Sequence, residues 1–340
     1  MEPSNSFSNR LAEKISARLR LPLIAAPMLS VSGPDLVIAA SRAGVIGSFP
    51  LANARTPEQL EEWLTRIETA LDADTNSGKA PAPFCPNLII KRPQMRAELA
   101  ALVKHRVEMV ITSVGSPVEA IGPLHDAGCI VFADVASVHH AERAIAAGVD
   151  GLVLLTAGAG GQTGWLNPLA FIRAVRAFYD GPIVLAGGIS DGAALFAAQV
   201  LGCDLAYMGT KFIATHESMA APEYKQMLVD SGMDDVMLTQ AFTGLDTNML
   251  KPSMIRAGLD PQTLPPRVSI EEAARRFSSK GESAIDSARR YKDIWSAGHS
   301  ISGVTRIQSA AELVEQTFIE FQAARRAVAR ALTASGAFTE

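Results

Sequence analysis

Short apolar runs alternate with longer amphipathic segments along the chain through residue 210. The short runs are rich in Val, Ile and Leu, as in strands buried on both faces, whereas the longer segments have helical spacing. This pattern predicts eight strands: Leu21–Met28, Val45–Phe49, Phe84–Ile90, Val107–Thr112, Cys129–Val135, Gly151–Leu155, Ile183–Ala186 and Leu205–Met208. It also predicts helices at Pro34–Ala43, Pro57–Leu71, Pro93–Lys104, Pro117–Ala127, Val138–Ala147, Pro168–Phe178, Gly192–Leu201 and, near the end, Val304–Leu332.

The alternation of eight strands with helices predicts an α/β fold, a closed (β/α)8 TIM barrel, rather than an open doubly wound sheet. Glycines and polar residues cluster directly after the predicted strands. In a barrel all of these strand ends lie on one face, where the connecting loops build an active site. An open sheet would scatter several of them.

The alternation stops after Lys211. Residues 217–300 are mostly helix-like, polar and interrupted by Pro and Gly, which predicts a small, mostly helical lid inserted after strand eight. Residues 1–216 and 301–340 would then form the barrel, and 217–300 the lid or substrate domain. A separate C-terminal domain is the alternative. We favour the lid, which would exclude water from the barrel mouth.

Composition narrows the class of protein. The chain has 340 residues, 48% of them hydrophobic, and its net charge of −4 comes with no long block of either sign, so neither nucleic acid nor a membrane surface is expected as a partner. The three cysteines are widely spaced and do not resemble a disulfide framework or a metal site. No secretory signal is present, so we expect a cytoplasmic enzyme with a small-molecule substrate. Whether it forms a homo-oligomer is left open.

A glycine-dense loop follows the sixth predicted strand, in the stretch GLVLLTAGAGGQTGW from Gly151 to Trp165. Its glycines allow positive φ and a close approach to a ligand. Gly160, Gly161 and Gln162 stand in its centre. We therefore predict a ligand loop, with a tight strand-to-helix connection as the alternative.

Two further glycine motifs, IVLAGGIS and YMGTKF, end strands seven and eight. In many barrels these two strand ends bind a phosphate through backbone N–H groups. Gly187, Gly188, Gly209 and Thr210 would do so here. Because the chain has neither a GxGxxG fingerprint nor a P-loop, a mononucleotide such as FMN fits better than a dinucleotide or ATP.

Taken together, LPLIAAPM, HHAERAIAAGVDGLVL, AGAGGQTG, VLAGGI, LGCDLAYMGTKFIATHES and, more faintly, WSAGHSISGV resemble the nitronate monooxygenases, also called 2-nitropropane dioxygenases, over most of the chain. The resemblance implies an FMN-dependent barrel oxidoreductase. It places Ala26, Pro27 and Met28 beside the isoalloxazine, a hydrogen bond from Asn87 to the flavin, and the phosphate on the two strand-end glycine motifs. Flavin-type enoyl reductases and NADH:quinone reductases are related barrels.

Gln162 stands where the best-known branch of the family has the His assigned as catalytic base. An amide cannot remove a proton near neutral pH, but it can hydrogen-bond an oxyanion. The substrate should therefore arrive already activated, as an alkyl nitronate does. Alternatives are an NAD(P)H-dependent FMN reductase acting on an enone, enoyl thioester or quinone, and a phosphate-binding barrel without redox chemistry.

Two more side chains are candidates for the site. His299, in the faintly similar WSAGHS segment, is the one plausible replacement base. Asp134 ends strand five at the mouth and is counted with the cofactor-binding residues. Its alternatives are orienting Gln162 or a substrate amine, or capping the next helix. His139, His140 and His216 are interpreted as surface or helix-terminal residues.

Overall fold

A computed structural model describes residues 10–269, 272 and 293–334. Nine strands belong to its first two thirds: β1 Leu23–Ala25, β2 Ile46–Gly47, β3 Asn87–Ile89, β4 Met109–Ser113, β5 Ile130–Val135, β6 Gly151–Leu155, β7 Gly161–Gln162, β8 Ile183–Ala186 and β9 Leu205–Met208. All except β7 form one parallel sheet in the order β2-β1-β9-β8-β6-β5-β4-β3. The sheet closes between β2 and β3, where the amides of Cys85 and Asn87 donate to the carbonyls of Gly47 and Phe49 at 2.8 and 2.9 Å. The predicted closed (β/α)8 barrel is confirmed.

The helices follow the predicted segments closely. They are α1 Glu13–Ser16, α2 Pro34–Arg42, α3 Pro57–Asn76, α4 Met95–Lys104, α5 Val118–Asp126, α6 Val138–Ala147, α7 Pro168–Arg176, α8 Gly192–Leu201, α9 Thr210–Ile213, α10 Pro222–Asp230, α11 Lys251–Arg256 and α12 Ala310–Ala334. Local sequence explains several of the helix ends. Thr56, Ser137, Asn167 and Asp191 accept backbone N–H groups at helix starts, and Gly148 and Gly202 end α6 and α8 with left-handed backbone.

Two apolar layers hold the barrel together. One lies between the strands and the surrounding helices, and the other fills the interior with side chains such as Ile24, Met109 and Phe132. Phe132 is fully buried and leaves no room for a side chain on the neighbouring strand, because a Cβ on Gly151 would lie 2.6 Å from its ring. The interior is thus a packed core that closes the barrel below the mouth.

The segment after β9 contains sheet as well as helix. Strands β10 Val236–Thr239 and β11 Thr247–Leu250 form an antiparallel hairpin, and β11 also pairs with β7 in the loop that follows β6. The hydrophobic pattern did not predict these two short strands. Residues 270–271 and 273–292 of the predicted lid lie outside the described residues, as do residues 1–9 and 335–340 of the predicted barrel.

Candidate active site at the carboxyl end of the barrel

The glycines of the loop after β6 are required by the protein itself. A Cβ on Gly160 would lie 2.7 Å from the backbone nitrogen of Gly298, and a Cβ on Gly158 would lie 2.9 Å from Nδ1 of His299. A Cβ on Gly164 would overlap the carbonyl oxygen of Leu155. These glycines therefore let the loop fold back on its own strand and on the distant 297–299 segment. Their contact with a ligand stays a prediction.

Gln162 is held at the mouth by backbone pairing. It lies in β7 opposite Thr247 of β11, and the next amide, Thr163 N–H, donates to the carbonyl of Asp246 at 3.0 Å. Its side chain is exposed and makes no hydrogen bond with any described residue. The backbone of Gln162 is thus fixed by strand pairing, whereas its side-chain amide has no partner among the described residues.

His299 lies against the same loop although it is far away in sequence. Its backbone N–H donates to the carbonyl of Gly158 at 2.9 Å, and its exposed ring lies beside Gly158. The preceding amide, Gly298 N–H, donates to Oγ1 of Thr210 at 2.9 Å. The 298–299 segment therefore links the Gln162 loop to the end of β9, and both predicted catalytic residues belong to one connected structure.

The predicted phosphate site is open where a ligand would lie. Gly187 and Gly188 have φ of +130° and +77°, which favour glycine, and a Cβ on Gly188 would meet nothing within 4 Å. The backbone N–H groups of Gly188, Gly209 and Thr210 donate to no group among the residues that the structure describes. Strands β8 and β9 are neighbours, so these N–H groups belong to adjacent strand ends. Free N–H groups around open space suit an anion.

The end of β1 adjoins this site. A Cβ on Gly209 would lie 3.5 Å from Cβ of Ala26 and 3.6 Å from Sδ of Met28, so Ala26, Pro27 and Met28 flank the β9 end. Sequence reasoning missed Asn53, whose side chain fixes the turn at residues 28–32. Asn53 donates through Nδ2 to the carbonyls of Met28 and Ser32 at 2.9 and 2.8 Å, and its Oδ1 accepts from Ser30 N–H at 2.8 Å.

Asn87 is buried on the opposite side of the mouth, at the start of β3. Its Oδ1 accepts from the Ser113 hydroxyl at 3.1 Å, and its Nδ2 makes a long bond of 3.4 Å to the carbonyl of Ile111. The second Nδ2 hydrogen has no protein acceptor among the described residues. Asn87 can thus donate one hydrogen bond to a ligand.

Asp134 does not cap the following helix, because the Ser137 hydroxyl accepts the His140 N–H there. The predicted alternative, in which Asp134 caps this helix, is wrong. Its carboxyl points into the barrel, where Oδ1 is enclosed and has no hydrogen-bond partner in the part of the chain that the structure describes. Burial raises the pKa of Asp134 to about 7. A second enclosed atom without a partner, the Tyr207 hydroxyl on β9, was missed by sequence reasoning because a tyrosine in an apolar strand is typical of core.

Other reactive groups lie away from this chemistry. Cys85, Cys129 and Cys203 are buried, and burial raises the pKa of each thiol, so none is an activated nucleophile. His139, His140 and His216 are exposed. Within the described parts of the chain, no group of three or more His, Cys, Asp or Glu residues could hold a metal ion, and no helix is long and apolar enough to cross a membrane.

The chain is similar in fold to several solved enzymes. A nitroalkane oxidase from Streptomyces ansochromogenes superposes with a TM-score of 0.76 at 25% identity, over 93% of this chain and 99% of that one. The enzyme FabK from Thermotoga maritima superposes with a TM-score of 0.78 at 23% identity, over 94% of this chain and 97% of its own. The second likeness concerns the fold alone.

Two relatives by sequence carry different names. A nitronate monooxygenase from Paraburkholderia phytofirmans is 26% identical over 340 residues, which cover 87% of this chain and 90% of that protein. A (3aS,4S,5R,7aS)-5-hydroxy-7a-methyl-1-oxo-octahydro-1H-indene-4-carboxyl-CoA dehydrogenase from Rhodococcus jostii is 26% identical over 236 residues, covering 69% of this chain. The match spans only 64% of that dehydrogenase.

The model of the nitronate monooxygenase family matches residues 10–320, which include all eight strands of the barrel and the segments around its mouth. This confirms the resemblance inferred from the sequence motifs. Because the match extends over most of its length, the chain belongs to the nitronate monooxygenase family of oxidoreductases.

Proposed function

We propose that this chain is an FMN-dependent enzyme that oxidises alkyl nitronates with O2. The residues at the mouth fit FMN, because free N–H groups at Gly188, Gly209 and Thr210 surround open space suited to its phosphate. When bound, the flavin supplies a two-electron acceptor that O2 can reoxidise. Ala26, Pro27 and Met28 would flank its ring system, and Asn87 would donate a hydrogen bond to one of its polar atoms.

One observation carries the choice of substrate class. The side chain held over the mouth by β7 and β11 is the Gln162 amide, exposed and without a hydrogen-bond partner among the described residues. An amide can donate to the oxygen of a nitronate, but it cannot remove the α-proton of a neutral nitroalkane. The substrate that suits this residue is therefore the anion, which needs no proton abstraction.

The segment 217–300 acts in this proposal as the lid of barrel 1–216 and 301–340. Its described part is attached to the site directly: Asn248 of β11 donates through Nδ2 to the carbonyl of Ala159 at 2.7 Å, and β11 pairs with β7. Displacing β11 would therefore release the Gln162 loop. Closure of this segment would exclude water and orient the amide toward substrate.

The test uses one compound in two protonation states. FMN-loaded protein is mixed without oxygen, at one pH, with a nitroalkane stored either as the neutral acid or as its nitronate, and flavin bleaching is followed before the two forms equilibrate. We expect the nitronate to bleach the flavin rapidly and the neutral form far more slowly. Comparable rates would show that the site contains an effective base and would overturn the role given to Gln162. Protein that stays colourless at saturating FMN would overturn the cofactor as well.

A second candidate is an NAD(P)H-dependent FMN reductase acting on an enone, an enoyl thioester or a quinone. It is favoured by the relatives that are named carboxyl-CoA dehydrogenases. In this reaction Gln162 would hydrogen-bond the substrate carbonyl. Rapid anaerobic bleaching by NADH or NADPH, with no response to nitronates, would select this candidate over the first.

A further inference from the structure

Two enclosed polar atoms in the barrel interior have no hydrogen-bond partner among the described residues: Oδ1 of Asp134 on β5 and the hydroxyl of Tyr207 on β9. Leaving such a group unsatisfied costs about 1–3 kcal/mol, so each needs a physical reason. The two groups are also close enough for the charge of Asp134 to raise the pKa of Tyr207, after the larger effect of burial. Both therefore face the same region of the interior.

That region opens toward the mouth. Asp134 stands opposite Val153 of β6, an interior residue, so its side chain points inward as well. On the other side, the register pairs Thr112 with Ala133, and its next step places Ser113 beside Asp134. Ser113 in turn donates to Asn87. Because the barrel wall surrounds Asp134 elsewhere, its remaining partial exposure is directed to the mouth.

Among the described residues, no cation lowers the pKa of Asp134, and burial is the cause of its shift. Its nearest side chains on β4 and β6 are the uncharged Ser113 and Val153, and the titratable groups that sense its charge are Tyr207 on β9 and Cys85 before β3. Burial raises the pKa of both of these groups well above its ordinary value, so they remain neutral. Nothing in the described part of the chain offsets a negative charge on Asp134. The cost of ionising it is consistent with a pKa of about 7.

We propose that Asp134 and Tyr207 contact the polar edge of the bound flavin, and that Asp134 exchanges a proton with it during turnover. This inference rests on the proposed function, since it needs the flavin. The carboxyl of Asp134 would release one proton toward a bound flavin on its two-electron reduction, becoming a carboxylate, and would take up a proton again on reoxidation. Tyr207 supplies a hydrogen bond to the flavin and no proton.

The chain thus contains a proton-exchanging group although Gln162 cannot act as one. The two residues have separate tasks, because Gln162 lies on an exposed strand above the mouth and Asp134 lies inside the barrel. Asp134 would keep the charge of the cofactor balanced, whereas Gln162 would hydrogen-bond the substrate. The nitronate reaction needs no substrate base under this division.

The first test needs no flavin. Carbon-13 labelling of the aspartate carboxyl groups in the apoprotein allows Asp134 to be followed by NMR, with Asp134→Asn assigning its signal. We expect this signal to titrate near pH 7 rather than in the ordinary Asp range of about 4. Titration in the ordinary range would overturn the inference and leave the proposed function standing.

The second test measures proton uptake on reduction of the FMN-loaded protein. At pH 6, where Asp134 is still protonated before reduction, its own proton would go to the flavin, so reduction of the wild type should take up one proton fewer from solvent per two electrons than reduction of Asp134→Asn. Asp126→Asn, which removes an exposed carboxyl at the end of α5, is the matched control and should behave as wild type. Equal proton uptake in all three proteins would contradict the proposal.

The third test concerns Tyr207. Tyr207→Phe keeps the ring and removes only the hydroxyl, so it should weaken FMN binding about five- to tenfold, as expected for one lost hydrogen bond. Unchanged FMN affinity would overturn the contact given to Tyr207. Failure of the wild type to bind FMN would overturn the proposed function itself, which the carboxyl titration does not depend on.

Discussion

Two glycine-rich stretches lie at the mouth of the barrel, and their glycines face different surroundings. In the loop after β6, a Cβ on Gly158, Gly160 or Gly164 would collide with other parts of the protein. At the ends of β8 and β9, a Cβ on Gly187 would also collide, with Oγ1 of Thr156, but a Cβ on Gly188 would meet nothing within 4 Å, and Gly209 has only ordinary contacts. The glycines of the first stretch are required by packing within the protein, whereas the second stretch leaves N–H groups without partners among the described residues.

The difference teaches that glycine density alone does not locate a ligand. The denser stretch positions Gln162 by packing against the 297–299 segment, and the sparser one has the open space and free donors that an anion needs. Asp134 and Tyr207 resemble the ends of β8 and β9 in this respect, since their enclosed polar atoms also lack partners among the described residues. Substitutions in the two regions should therefore act on different properties, stability in one and ligand binding in the other.

The largest loss of stability is expected from Gly164→Ala. Its Cβ would overlap the Leu155 carbonyl, so the backbone must shift, at a cost of roughly 3 kcal/mol or more in the free energy of unfolding. Gly122→Ala, in α5, is the control: apart from its chain neighbour Pro123, nothing lies near the added Cβ, so the free energy of unfolding should change by less than about 1 kcal/mol. Urea unfolding measures both. A stable Gly164→Ala protein would contradict the close packing described for this loop.

The next effect is a pH-dependent one at Asp134. Its pKa is about 7 in the folded protein and about 4 in the unfolded chain, so between pH 4 and 7 Asp134 ionises in the unfolded chain first. The free energy of unfolding of the wild type therefore falls as the pH rises through this range. Asp134→Asn cannot ionise, so relative to wild type it should gain on the order of 1–3 kcal/mol across this range. Unfolding free energies at pH 4, 5.5 and 7 test this. A difference that does not change with pH would show that Asp134 ionises normally.

A smaller change in stability, of about 1 kcal/mol, is expected for Gly188→Ala, which strains a residue with φ of +77°. Gly78→Ala, after α3 with φ of +83° and open space around it, should cost the same. The two should differ in FMN affinity, which Gly188→Ala should reduce at least tenfold because its methyl group enters the phosphate site. Fluorescence titration with FMN distinguishes them. Equal affinities would remove Gly188 from the cofactor site.

The smallest effect on stability is expected for Gln162→His, within about 0.5 kcal/mol, because the side chain is exposed and unpaired. The imidazole would add a base at the mouth, so oxidation of neutral nitroalkanes should increase while nitronate oxidation changes little. His299→Ala, with Gln162 retained, serves as the comparison. If this variant loses the slow nitroalkane turnover of the wild type, His299 rather than residue 162 provides the base.

The barrel could be predicted from sequence because each of its eight strands is a separate apolar run followed by turn residues. Strands β10 and β11 could not, since four residues of mixed polarity become a strand only through pairing with each other and with β7. The loop glycines were recognised, but their packing partners at 298 and 299 lie more than 130 residues away. Likewise, Tyr207 looks like core until its hydroxyl is seen to lack a partner.

The central claim, that FMN binds where β8 and β9 end, is tested most directly by amide hydrogen exchange with and without FMN. We predict that the amides of Gly188, Gly209 and Thr210, which donate to no described residue, exchange much more slowly once FMN is bound. The amide of His299, already bonded to Gly158, should change little. Unchanged exchange at the β8 and β9 ends under saturating FMN would contradict the account.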